Sequence, residues 1–184
     1  MTAPFAVLHV CTGNICRSPM SERILDGLTG DDVLNHGAGI SAFHEGENMQ
    51  PNSVGELRAR GYDGEGHHAR HLTRAHVESS DLLLVATTGH LEYVAERFPE
   101  ALPKTFLVRT LGRIAADLDP AVLPDGDAAV RGKALVALAY ERRGDYEDVD
   151  LADPWGMGQT VYARIADQLE DALKPVATAL EGPS

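Results

Sequence analysis

The strongest constraint on this chain lies near its start. A short apolar run with β-branched residues, Phe5-Ala-Val-Leu-His-Val10, ends at the segment Cys11-Thr-Gly-Asn-Ile-Cys-Arg17-Ser18. Pro19 follows, and then Met20, Ile24, Leu25 and Leu28 recur at helical spacing. Proline is tolerated in a first helical turn because the N–H it lacks has no partner there. The pattern reads as a buried strand, a tight loop and a helix.

The same alternation continues. Asp32-Val-Leu-Asn35 is a candidate second strand, and Ser53 to Arg60 a helix carrying Val54 and Leu57 and ended by Gly61. Asp81-Leu-Leu-Leu-Val-Ala86 is apolar throughout, as parallel strands buried on both faces tend to be. Thr87 or Thr88 can cap a helix to about Phe98, closed by Pro99. Lys104 to Val108 reads as a fourth strand, followed by a helix through Leu111, Ile114 and Ala115. A last helix, about Gln159 to Leu180, puts Val161, Ile165, Leu169 and Leu173 on one stripe. Strands alternating with helices imply an α/β fold, a parallel sheet joined by right-handed crossovers. Between Leu118 and Asp150, Pro120, Pro124 and Gly126 read as loop and Ala128 to Arg142 as helix. With 184 residues and no linker, the chain is expected to be a single domain, 1–184, with about 119–150 an inserted loop and helix.

Composition excludes several roles. A net charge of −12 argues against a general nucleic-acid binder. It also means that any anion site must work by local geometry. No apolar stretch is long enough to span a membrane, and the start lacks the basic region of a signal peptide. Two cysteines are too few for a disulfide scaffold, so a reducing, cytoplasmic setting is expected, with the protein a monomer.

Five residues separate Cys11 from Arg17, enough for a loop to curl around a tetrahedral oxyanion. The inward N–H groups of Thr12, Gly13, Asn14, Ile15, Cys16 and Arg17, and the positive end of the following helix, would then face the anion. Arg17 can add a guanidinium fork that holds two phosphoryl oxygens. The same surroundings favour a nucleophilic thiolate at Cys11. Gly13 permits close backbone approach, Asn14 tolerates a left-handed conformation, and Ser18 can donate a hydrogen bond to the sulfur. Taken alone, a Cys-x5-Arg pair is more often a core cysteine and a surface arginine; the strand before it and the helix after it reverse that balance. No Walker-type loop or dinucleotide-binding glycine pattern is present.

Thiolate attack on a phosphate monoester expels an oxyanion that needs a proton, and a carboxylic acid on another loop is the natural donor. Asp153-Pro154-Trp155 stands out, with Pro154 stiffening the segment and Trp155 offering an aromatic wall, although most of the 28 acidic residues must be surface charges. His67, His68 and His71 lack the spacing of a metal site, so none is expected. Cys16 reads either as a packed small residue or as a second thiol able to pair reversibly with Cys11.

The segment Val10 to Pro19 resembles the signature of the low-molecular-weight protein tyrosine phosphatases, including its second loop cysteine. Gly39-x-x-x-Phe43-His44-x-Gly46, His67-x-Ala69-Arg70-x-Leu72 and Asp153-Pro154-Trp155 follow in the order of that family, and together they span most of the chain. The resemblance implies a flavodoxin-like fold with a four-stranded parallel sheet flanked by helices and the phosphate loop after the first strand. It implies hydrolysis of protein phosphotyrosine through a cysteinyl-phosphate, with Cys11 as nucleophile, Arg17 and the loop amides on the phosphoryl oxygens, and Asp153 as general acid and then base. No cofactor is implied. His67 matches the family's partner for Asn14, and Phe43 and Trp155 the aromatics of the crevice mouth. Gly37 and Gly156 depart from the family, which commonly has a serine and a second aromatic there. Two alternatives stand beside this reading: a thiol-dependent arsenate reductase on the same scaffold, and a weakly catalytic phosphotyrosine-binding protein.

Overall fold

The computed structural model describes residues 3–182. Met1, Thr2, Pro183 and Ser184 lie outside the described residues, so the reading of the extreme N-terminus and the full extent 1–184 are not addressed by it.

The first apolar run is strand β1, Phe5–Cys11, buried along its whole length. It is buried because it is central. Val33–Gly39 (β2) pairs with it in parallel from Phe5↔Val33 to Cys11↔Gly39. Leu82–Val85 (β3) pairs on its other side, from Val7↔Leu82 to Val10↔Val85. Thr105–Leu107 (β4) completes a four-stranded parallel sheet in the order β2-β1-β3-β4. The helices are α1 (Arg17–Leu28), α2 (Pro51–Ala59), α3 (Arg74–Glu78), α4 (Thr88–Arg97), α5 (Val108–Asp117), α6 (Ala128–Arg142) and α7 (Gln159–Glu181).

Strand periodicity divides the interior into two layers. Phe5, Val7 and Cys11 join a core built with Met20, Leu57, Leu111, Leu135 and Leu169, so α1, α2, α5, α6 and α7 cover that face. Leu8 and Val10 point the other way, towards Val77 of α3 and Val94 of α4. The strand order turns back between β1 and β3. In open α/β sheets a crevice opens at such a switch point, at the carboxyl ends of the strands. Cys11 closes β1 at that point.

Several elements differ from the sequence reading. The second strand extends beyond Asn35 through His36, Gly37, Ala38 and Gly39, residues of low strand propensity held by the β1 ladder. Helix α3 was not expected; Thr73 caps it, accepting from the His76 amide while the His76 ring receives the Thr73 amide. Thr87 is the cap of α4. The buried stripe of α7 starts at Tyr162 rather than at half-buried Val161, because the tyrosine ring reaches down to the loop after β1. In the segment expected as loop and helix, Asp127 caps α6 by accepting from the Val130 amide. Among the described residues, no helix is long and apolar enough to cross a membrane.

Candidate active site

Residues 12–16 connect the end of β1 to the start of α1, and their carbonyls are held from outside. The Ile40 amide donates to Cys11 O (3.0 Å), Ser41 to Thr12 O (2.9 Å) and Gln50 to Ile15 O (2.8 Å). His67 Nε2 donates to Asn14 O at 2.7 Å. With these carbonyls turned outward, the N–H groups are left to the concave side, and the Asn14 amide lies 3.3 Å from Cys11 Sγ. Asn14 has φ +55°, the left-handed region that asparagine enters more readily than most residues. Gly39 lets β2 press backbone to backbone on this loop. A Cβ there would lie 2.7 Å from Thr12 O and 2.9 Å from the Gly13 carbonyl carbon.

Beneath the loop a short chain of hydrogen bonds ends on the sulfur. The Arg70 amide donates to Asn14 Oδ1 at 3.0 Å, which orients the side-chain amide. Asn14 Nδ2 donates to Ser18 Oγ at 2.8 Å. That leaves the Ser18 hydroxyl hydrogen for Cys11 Sγ, 3.0 Å away. At Gly37, where the family commonly has a serine, the space is occupied by neighbours. A Cβ would come within 2.7 Å of Glu22 Oε2 and 2.8 Å of Asn14 Nδ2. Burial pushes the Glu22 carboxyl up to about 7, against the pull of Arg23 and Arg70, and its Oε2 has no hydrogen-bond partner.

Arg17 is the first residue of α1, and its side chain is only 6% exposed. Its Nη1 donates to Leu151 O at 3.0 Å. Its Nη2 stands 3.2 Å from Asp153 Oδ2, while Nε is buried without a partner. The Asp153 segment is tied to the sheet: Leu151 donates to Ala86 O (2.9 Å), and Asp150 accepts from the Thr88 amide (2.8 Å) at the start of α4. Asp153 Oδ1 also accepts from the Trp155 amide at 3.2 Å, a local turn that holds the carboxyl towards the arginine.

A cleft of about 260 Å³ opens over the loop. Cys11, Thr12, Gly13, Ile15, Cys16, Arg17, Phe43, Asp153 and Trp155 all line it, joined by Ser41 and His44. Phe43 (81% exposed) and Trp155 (57%) form its aromatic rim, with the His44 ring edge-on to both at 4.8 and 5.8 Å. Asn14, Ser18 and His67 are buried outside the lining. Cys16 is packed against Tyr162, Sγ to Oη 3.5 Å, and burial pushes its thiol up to about 11. Among the described residues, no group of three or more His, Cys, Asp or Glu side chains is arranged to hold a metal ion.

The sequence reading missed His90. Its Nε2 lies 2.9 Å from Thr12 Oγ1 and its Nδ1 2.8 Å from Thr87 Oγ1. A histidine three residues after a capping threonine was the available signal. It pointed to a helix start, and only the fold brings that start beside the loop.

Known proteins share this architecture. The family described as low molecular weight phosphotyrosine protein phosphatase matches residues 6–119, which include the loop, β1 from its second residue and β2 to β4, but not Asp153. A protein-arginine-phosphatase of Geobacillus stearothermophilus is 29% identical over 178 residues, 97% of each chain. A low molecular weight protein-tyrosine-phosphatase of Streptomyces coelicolor is 30% identical over 173 residues, covering 91% of this chain and 88% of its own. The structure of a low molecular weight protein tyrosine phosphatase from T. tengcongensis superposes with a TM-score of 0.71 at 26% identity, over 94% of this chain and 97% of that one. A match over more than half the chain, with relatives aligned along nearly all of it, makes this protein a member of the low molecular weight phosphotyrosine protein phosphatase family.

Proposed function

We propose that the protein hydrolyses phosphotyrosine in proteins through a cysteinyl-phosphate. The observation that carries the reading is one cleft in which Cys11 Sγ accepts from the Asn14 amide at 3.3 Å and meets Ser18 Oγ at 3.0 Å, while Arg17 and Asp153 meet at its edge, 3.2 Å apart. Cys11 Sγ attacks phosphorus in line with the phenolic oxygen, and the P–O bond breaks. Asp153 supplies the proton that the departing oxygen needs. Water then attacks phosphorus, Asp153 takes its proton, and the P–S bond breaks to release inorganic phosphate and the thiolate. Loop amides and the Arg17 guanidinium bear the equatorial oxygens in both steps, with the unpartnered Nε ready for one of them. Thr12, Gly13, Asn14, Ile15 and Cys16 supply the loop, Ser18 eases departure of the sulfur, and His67 supports Asn14. The exposed Phe43 and Trp155 suit a flat leaving group on an accessible chain. Two cysteines, both unpaired, suit a protein working in the reducing cytoplasm.

Phosphoarginine is the second reading of the substrate, favoured by the relative that aligns over 97% of this chain and is named a protein-arginine-phosphatase. An arsenate reductase would need outside thiols, since the chain has only Cys11 and Cys16. Hydrolysis of an aryl phosphate without added metal, lost in Cys11→Ser, tests the chemistry; full activity in that variant rejects the mechanism. Comparing kcat/KM on peptides that differ only in carrying phosphotyrosine or phosphoarginine tests the substrate, and preference for the second rejects the first reading.

A further inference from the structure

His90 is a buried histidine that the proposed chemistry does not use. It lies in the first turn of α4, 4% exposed, with each ring nitrogen on a different threonine. Nδ1 meets Thr87 Oγ1 at 2.8 Å, within the helix cap. Nε2 leaves the helix and meets Thr12 Oγ1 at 2.9 Å, 78 residues away in sequence. Capping itself uses the His90 backbone amide, which donates to Thr87 Oγ1 at 3.4 Å, so it does not call for the reach to Thr12. Among the described residues, the Thr12 hydroxyl has no other hydrogen bond, and Thr12 directly follows Cys11.

The turn that carries His90 also anchors the opposite side of the cleft. Ala86 O accepts the Leu151 amide (2.9 Å), and the Thr88 amide donates to Asp150 (2.8 Å). Leu151 O in turn receives Arg17 Nη1 at 3.0 Å. Residues 86–90 therefore touch both the loop that would hold the phosphoryl group and the segment that would deliver the proton. Arg17, Asp153 and Asp150 face the ring. Burial, with Arg17 adding to it, brings His90 down to about 4, so the imidazole is neutral at neutral pH and adds no charge to the cleft.

We propose that His90 is a positioning residue, clamping Thr12 and the first amides of the anion loop to the same turn that anchors the Asp153 segment. It sets the distance between oxyanion binding and proton donation. The proposal rests on the phosphatase reading.

Two substitutions separate the ring's contacts. His90→Asn keeps an amide near Thr87 but is too short for Thr12, whereas His90→Gln extends to Thr12. Binding of inorganic phosphate by calorimetry and kcat/KM on an aryl phosphate are the readouts. His90→Asn should lose about tenfold in both, the size of one intramolecular hydrogen bond, and His90→Gln should recover most of it. Thr12→Val should show the same loss, and the double variant no more than the worse single. Because Thr12 is exposed, its variant keeps the test alive if His90→Asn fails to fold. Wild-type values in His90→Asn or in Thr12→Val, no recovery with glutamine, or additive losses would each overturn the clamp alone. A wild-type protein that neither binds phosphate nor turns over aryl phosphate would remove both the clamp and the reading beneath it.

Discussion

Replacing Asp153 by asparagine should change phosphate binding and turnover in opposite directions. Asp153 Oδ2 lies 3.2 Å from Arg17 Nη2, with its side chain 51% exposed. An ion pair so open to water contributes no more than ~1 kcal/mol to folding, so the variant should keep its stability to within that margin. For an incoming phosphoryl group the carboxylate is a competitor, because it sits on Nη2 and carries like charge. Two unit charges about 4 Å apart interact by ~1 kcal/mol in water and ~4 kcal/mol near a protein surface. With the side chain half in solvent the lower end applies, which makes inorganic phosphate about fivefold tighter as a competitive inhibitor of Asp153→Asn. Turnover should fall by ~10²–10⁴, because general acid catalysis is lost. Phenyl phosphate, with its poor leaving group, should suffer most and 4-nitrophenyl phosphate least. Steady-state kinetics on both esters with phosphate as inhibitor measure all three effects. Weaker or unchanged phosphate inhibition would refute the competition, and equal slowing of the two esters would refute the acid role.

Two further predictions concern the groups beneath and behind the loop. Glu22 is held near 7 by burial, above an unfolded value of 4.5, so the stability linked to its proton is present below 4.5 and is lost as pH rises to about 7. Glu22→Gln should therefore gain on the wild type between pH 5 and pH 8, by roughly 3 kcal/mol at most, and parallel thermal unfolding curves across that range would contradict the account. Burial keeps the Cys16 thiol at about 11, so at pH 7.5 iodoacetamide should leave Cys16 unmodified in the native protein while alkylating it in urea, as read by peptide mass mapping. Native-state labelling as fast as in urea would show that the thiol is not packed as described.

The strand, loop and helix from Phe5 to Leu28 could be read directly because their determinants are local. Apolar period, the glycine and asparagine of the loop and a first-turn proline all act within a few residues, and Asn14 takes the left-handed backbone that this pattern calls for. The second strand was only half legible. His36, Gly37 and Gly39 have little preference for a strand, and what extends it is the β1 ladder together with the need for Gly39 to lie against Thr12 O. Asp153 could be picked out by family likeness but not by physics alone, since a neighbouring proline and tryptophan are a weak mark for one carboxylate among 28. Its place beside Arg17 is decided by Leu151 bonding to the end of β3, across 134 residues of chain from the arginine. His90 on Thr12, Glu22 against Gly37 and Tyr162 on Cys16 are of the same kind. By itself the sequence determined that a loop able to hold an oxyanion stands at the end of the first strand. Which side chains converge on that loop was decided only by the sheet order, because a parallel α/β sheet gathers the carboxyl ends of distant strands at one edge.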